Sequence, residues 1–168
     1  MCPLKPDIVL YGLANKDVQI SNEILKMYGV TRSRIVSSCM SETCYMDELN
    51  IFGKSKILDS NTGFVEEYDF RRLLKLPYYC ENDIKQRDSK LDNVKIIVDI
   101  LTGKKDDAYV DLVCLNAGNI LQLSGIVDTI ENGYYISKKQ IHSGKTIDKL
   151  IEIIQESKGN IEKLEKFL

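Results

Sequence analysis

Histidine occurs once in the 168 residues, at His142, and proline three times. One histidine is too few for most acid–base constellations and for the common zinc donor sets. The sequence has no glycine-rich phosphate loop of either common type, no Gly-x-Ser-x-Gly elbow and no His-Glu-x-x-His pair. The usual nucleotide-binding, serine-hydrolase and metalloprotease signatures are therefore missing. No segment approaches the roughly 20 uninterrupted apolar residues that a membrane span needs. Met1-Cys2-Pro3-Leu4-Lys5-Pro6 has neither a basic start nor an apolar stretch behind it. Charge of one sign is not in excess: 23 Lys and Arg stand against 25 Asp and Glu, interspersed, for a net charge of -2. This argues against nucleic acid or an anionic membrane as partner, since both select concentrated basic surface. Cys2, Cys39, Cys44, Cys80 and Cys114 are odd in number and irregularly spaced, unlike a disulfide framework, and read as reduced thiols. Cys39 and Cys44 lie five apart without a second pair, which does not make a zinc site. The expectation is a soluble, cytoplasmic chain forming one α/β domain over residues 1–168.

What is present has an order. Asp7-Ile8-Val9-Leu10-Tyr11-Gly12 is a short apolar, β-branched run and reads as a strand. Ile20, Ile24, Leu25, Met27 and Tyr28 follow at helical spacing up to Gly29, a suitable left-handed cap, and Arg34-Ile35-Val36-Ser37 reads as a second strand. Strand, helix and strand in about thirty residues is the pattern of a parallel unit. Cys39 to Asn50 is polar and reads as a long loop. Residues 54–58 and 63–68 flank Asn61-Thr62-Gly63 and read as a hairpin.

From Asp92 the pattern is helical. Val94, Ile97, Val98 and Leu101 predict one apolar face, and Asp106 or Asp107 caps a helix that is apolar on nearly every side through Leu123, as a central core helix is. Asp128-Thr129-Ile130-Glu131 has capping-box spacing and opens a helix running to Gly144. Ile147, Leu150, Ile151 and Ile154 stripe another, and Ile161, Leu164 and Phe167 a short last one. The fold class expected is a partial central sheet, made of a parallel unit plus a hairpin, covered by C-terminal helices.

Few residues could carry chemistry. His142 precedes Ser143-Gly144 at an expected helix end, where a solvated or carbonyl-bonding histidine is the common case. Asp47 and Glu48 are adjacent carboxylates in a polar loop after a strand, and ligands of α/β sheets collect at the carboxyl ends of strands. Such surroundings suit magnesium, which takes one or two carboxylates and keeps waters or phosphate oxygens. A solvated acidic pair explains the same residues, because charged residues mostly lie outside. Asn116 and Gly118 interrupt an apolar helix, the glycine at a cost of about 1 kcal/mol. Compensation is expected from an Asn116 bond to neighbouring backbone and a close approach at Gly118.

Together these residues resemble a family. Asp111-Leu112-Val113-Cys114-Leu115-Asn116-Ala117-Gly118, Glu131-Asn132-Gly133, Ser143-Gly144-Lys145 and Leu150 look like the C-terminal signature of anthranilate phosphoribosyltransferase, shared in part with pyrimidine nucleoside phosphorylases. Leu91-Asp92-Asn93-Val94 with Ile100-Leu101-Thr102-Gly103 resembles the family's helix and loop upstream. Met46-Asp47-Glu48-Leu49 resembles its Asp-Glu magnesium motif, and Cys2-Pro3-Leu4-Lys5-Pro6 with Leu10-Tyr11-Gly12 its Gly-Pro-Leu stretch and strand. Tyr45 and Ser38 stand where the family has glycines, and the loop 37–46 is a few residues longer.

The resemblance covers the C-terminal half of the family. The phosphoribosyl pyrophosphate loops and the N-terminal helical dimerisation domain have no counterpart in these residues. It implies Asp47 and Glu48 as Mg2+ ligands, with phosphoribosyl pyrophosphate and anthranilate as substrates of the parent reaction in tryptophan biosynthesis. It also implies that the 168 residues alone are inactive unless an N-terminal half assembles with them. The alternatives are a noncatalytic α/β module or split-enzyme partner, prone to self-association, and a nucleoside phosphorylase-like enzyme.

Overall fold

The computed structural model describes residues 6–168. Cys2 to Lys5, part of the Gly-Pro-Leu-like stretch, lie outside the described residues. Strand β1 (Val9–Gly12) leads through helix α1 (Gln19–Met27) to β2 (Ser33–Cys39), which pairs parallel to it with Val9 opposite Ser33 and Gly12 opposite Val36. The hairpin is β4 (Ser55–Asp59) and β5 (Val65–Tyr68), antiparallel, with a five-residue connection in which Gly63 has φ +72°. β4 joins the sheet antiparallel to β2, giving the order β1-β2-β4-β5. Parallel unit and hairpin thus form as the apolar pattern predicts.

One strand lies inside the expected loop. β3 (Tyr45–Met46) pairs antiparallel with Ser38 and Cys39 of β2. The other edge of β2 at Ser38 is occupied by Ser55 of β4, so β3 takes over the edge that β1 leaves at Val36.

The remainder is helical. After α2 (Phe70–Leu73) and a 3₁₀ turn (Glu81–Ile84) come α3 (Lys90–Leu101), α4 (Ala108–Leu123), α5 (Ile130–His142), α6 (Thr146–Glu156) and α7 (Glu162–Glu165). Asp107, not Asp106, caps α4 by accepting from the Tyr109 N–H. Thr129, not Asp128, caps α5, its hydroxyl accepting from Asn132 N–H, so Glu131 is one position short of a capping box.

The main core joins Val36 and Ile57 of the sheet to Leu112, Cys114 and Leu115 of α4 and Tyr134 of α5. The helices therefore cover the sheet as expected. Val98, Ile147 and Leu164 form a separate cluster among α3, α6 and α7, with the expected stripe Leu150, Ile151 and Ile154 packed around it. Two burial expectations fail. On α3 the buried residues are Val98 and Ile100, while Val94 and Ile97 are exposed. On α4, Val113 and Ile120 remain exposed, because the sheet and α5 cover only its other sides.

Candidate functional site

Asp47 and Glu48 follow β3 directly, beside the carboxyl end of β2. Their backbone is held from four directions. The Ser38 hydroxyl, on β2, donates to the Glu48 carbonyl at 2.5 Å and lies 2.7 Å from the Ser55 hydroxyl of β4. Asn116 of α4 accepts from Leu49 N–H at 3.0 Å through Oδ1 and donates to the Leu49 carbonyl at 2.9 Å through Nδ2. The same Nδ2 reaches the Leu112 carbonyl of its own helix at 3.1 Å. Gly12, the last residue of β1, lies so close that a Cβ there would be 1.8 Å from the Asp47 carbonyl oxygen. Leu49 and Ile51 are fully buried behind the pair and anchor the loop in the core.

The side chains differ from this rigid backbone. Asp47 is exposed and Glu48 half-buried. Among the described residues, no ion pair or hydrogen bond is recorded for either carboxylate. Burial raises the Glu48 carboxyl above its ordinary value, and the neighbouring Asp47 charge raises it further. A cavity of about 370 Å³ opens here, lined by Met40, Tyr45, Asp47, Glu81, Lys85 and Gln86 among others. No group of three or more His, Cys, Asp or Glu residues that could hold a metal occurs among the described residues. Two carboxylates with no ion pair among the described residues match a magnesium site that draws its remaining ligands from water and phosphate.

A larger cavity, about 440 Å³, lies towards the opposite end of β2, with Arg34, Asp59, Glu66, Gln122, Asp128 and Glu131 in its lining. Arg34 there is already bound to Asp59 at 2.9 Å and to Asn119 at 2.8 Å, and carboxylates outnumber it. Such a lining disfavours an anionic ligand.

Asp111, 3% exposed, accepts from Tyr79 at 2.9 Å, Tyr134 at 2.6 Å and Lys138 at 2.7 Å. Sequence reasoning gave Asp111 no role of its own; acid, tyrosines and lysine lie in separate segments and no local spacing joins them. Desolvation pushes the buried Cys114 thiol up to about 12, which makes it inert. His142 is solvent-exposed near the end of α5, 3.5 Å from Asp106, rather than bonded to a carbonyl. Asn116 and Gly118 act as the helix interruption predicts: the first bonds to backbone, and the second lets α5 approach.

Fold and site define a helix-covered α/β domain with an acidic pair at a strand end. The family model described as "Glycosyl transferase family, a/b domain" matches residues 1–147, and the chain belongs to that family. Anthranilate phosphoribosyltransferase of Persephonella marina is 28% identical over 152 residues, covering 89% of this chain and 43% of that protein. The Polynucleobacter necessarius protein of the same name is 30% identical over 144 residues, with 84% and 40% covered. The chain thus spans about two-fifths of the length of the curated relatives it matches. Among solved structures, anthranilate phosphoribosyltransferase of Thermus thermophilus superposes with a TM-score of 0.72 at 18% identity, covering 86% of this chain and 41% of that one. The Saccharomyces cerevisiae protein in complex with PRPP and Mg gives 0.73 at 16%, covering 89% and 41%. At these identities the structures show the fold, and it is the fold that the sequence predicts.

Proposed function

We propose that this domain supplies the magnesium-binding part of an anthranilate phosphoribosyltransferase, which moves phosphoribosyl from phosphoribosyl pyrophosphate (PRPP) to the amine of anthranilate in tryptophan biosynthesis. The observation that carries this reading is the Asp47-Glu48 pair, free of ion pairs among the described residues, with Asp47 lining a cavity at a strand end and the backbone held by Ser38 and Asn116. Asp47 and Glu48 would hold the ion. The ion they would hold would supply positive charge to neutralise the pyrophosphate leaving group. The relatives and the yeast PRPP and Mg complex support the same reading.

Asp47 and Glu48 would orient the ion, on the backbone that Ser38 and Asn116 hold. Anthranilate brings its own nucleophilic amine, which suits a site with no histidine or activated cysteine. A diphosphate ester also needs a cradle of N–H groups and cations, and residues 1–168 contain no such sequence. Phosphate binding therefore falls to the portion of the relatives' length that these residues do not span. Purified as residues 1–168, the chain should leave anthranilate fluorescence unchanged in the presence of PRPP and Mg2+. Turnover by this chain alone would overturn that view, and Asp47→Ala or Glu48→Ala that binds Mg2+ like the wild type would overturn the metal assignment.

A second reading, as an assembly partner, rests on α1 and β1. Ile20, Ile24 and Met27 of α1 and Tyr28 just after it are exposed, and Met27 is 87% exposed. β1 forms one edge of the sheet among the described residues. An apolar helix face beside an open strand suits either an N-terminal half of the same enzyme class or a second copy of this chain. A monomer by sedimentation at high concentration would remove the second copy. A transferase of this class works in the cytoplasm, where Cys39, Cys44, Cys80 and Cys114, all free, stay reduced.

A further inference from the structure

Asn116 is half-buried in helix α4, far from the carboxylates in sequence, yet two of its three hydrogen bonds go to one residue, Leu49, the residue after Glu48. The amide pairs with Leu49 as a neighbouring strand would, N–H to Oδ1 and carbonyl to Nδ2. Ser38 fixes the preceding carbonyl, that of Glu48. The peptide units on either side of Leu49 are therefore tied to α4 and to β2, while the Asp47 and Glu48 side chains remain outside these bonds.

We infer that Asn116, assisted by Ser38, is a positioning residue for the carboxylate pair. It fixes the backbone that presents the two side chains, so that both carboxylates can meet one divalent cation without a further ordering cost. The inference rests on the magnesium reading of Asp47 and Glu48 and adds two residues to it. The amide in the middle of an apolar helix then has a purpose beyond satisfying its own polarity. A hydrophobic residue at 116 would pack in the helix but leave the Leu49 N–H and carbonyl without partners at the turn that carries the site.

The test is calorimetric titration of Mg2+ into the 168-residue chain and its variants, with the fold of each followed by circular dichroism. Asn116→Ala should weaken Mg2+ binding about tenfold or more, the range typical of losing a group that orients metal ligands. Ser38→Ala removes a single β2 hydroxyl that holds the same loop and should weaken binding in the same direction, so the inference remains testable if Asn116→Ala does not fold. Asn119→Ala is the control. Asn119 is fully buried on the same helix and bonds to Arg34, so its loss should lower thermal stability while leaving Mg2+ affinity at the wild-type value.

Wild-type affinity in folded Asn116→Ala and in Ser38→Ala would overturn the inference and leave the metal assignment standing. An equal loss in Asn119→Ala would reduce Asn116 to a general stability effect. A wild-type chain that binds no Mg2+ would overturn the magnesium reading itself, and the inference with it.

Discussion

Gly118 of α4 and Gly133 of α5 touch backbone to backbone: a Cβ on Gly133 would stand 2.6 Å from the Gly118 Cα, and one on Gly118 2.5 Å from the Tyr134 nitrogen. Neither neighbour is a flexible side-chain tip that could swing aside. Gly118→Ala should therefore force the helices apart and cost about 3 kcal/mol or more, despite alanine's better helix propensity. Urea denaturation of the variant and the wild type checks this, and unchanged stability would show that the helices do not cross so closely.

Arg34 is a buried cation, 6% exposed, whose guanidinium is shared by Asp59 and Asn119. Removing the acid strands the charge. Asp59→Asn should cost about 2 to 3 kcal/mol, less than the loss at a fully buried pair because the Asp59 side chain keeps 21% of its exposure. Arg34→Met combined with Asp59→Leu should lose less than the sum of the single changes. A double-mutant cycle by denaturant unfolding measures the difference.

The groups around Asp111 set an alkaline limit. Burial, with the Asp111 carboxylate, holds Tyr79 up to about 12 and raises Tyr134 above its ordinary 10.0. Burial works against the Lys138 charge, but Asp111 and Asp106 outweigh it and raise Lys138 above 10.5. The folded protein thus keeps protons that the unfolded chain releases above about pH 10. These groups stabilise the fold fully below that pH, and their contribution declines as pH rises through the folded values. Tyr134→Phe should lower stability at pH 7 by about 2 kcal/mol, the scale of a hydrogen bond to a charged group, and flatten the loss between pH 10 and 12. Melting temperature against pH reads both effects.

Gly12 stands against the Asp47 carbonyl with no room for a methyl group. Gly12→Ala should displace the Asp47 loop and weaken Mg2+ binding while the far cluster of Val98, Ile147 and Leu164 keeps its shape. Amide chemical shifts would show this as large changes at Asp47 to Leu49 and small ones in α6. The reverse pattern would count against the contact.

Much of the fold was legible because it rests on local patterns. The strand–helix–strand unit, the hairpin and the α6 stripe each announce themselves in apolar spacing. β3 does not, because two residues carry no periodicity and Tyr45–Met46 pair only where β1 has ended. The capping of α5 was misassigned by one residue because Asp128 and Thr129 are both good caps, and only backbone geometry separates them. Exposure of Val113 and Ile120 was illegible in principle: a helix apolar on nearly every side does not say which side a partner leaves bare. Of the candidate site, a motif singles out Asp47 and Glu48, and the helix interruption marks Asn116 as bonded to backbone. That the backbone belongs to Leu49, 67 positions earlier, is a fact of tertiary structure alone.

β2 offers one edge to two strands in succession, parallel to β1 as far as Val36 and antiparallel to β3 from Ser38. Only Ser37 separates the two pairings. β1 therefore acts as a ruler: one more paired residue beyond Gly12 would run into β3 and push the carboxylates off the strand end. The reach of the acidic pair is set by where the first strand stops, and a change in that length is read out directly as a displaced site.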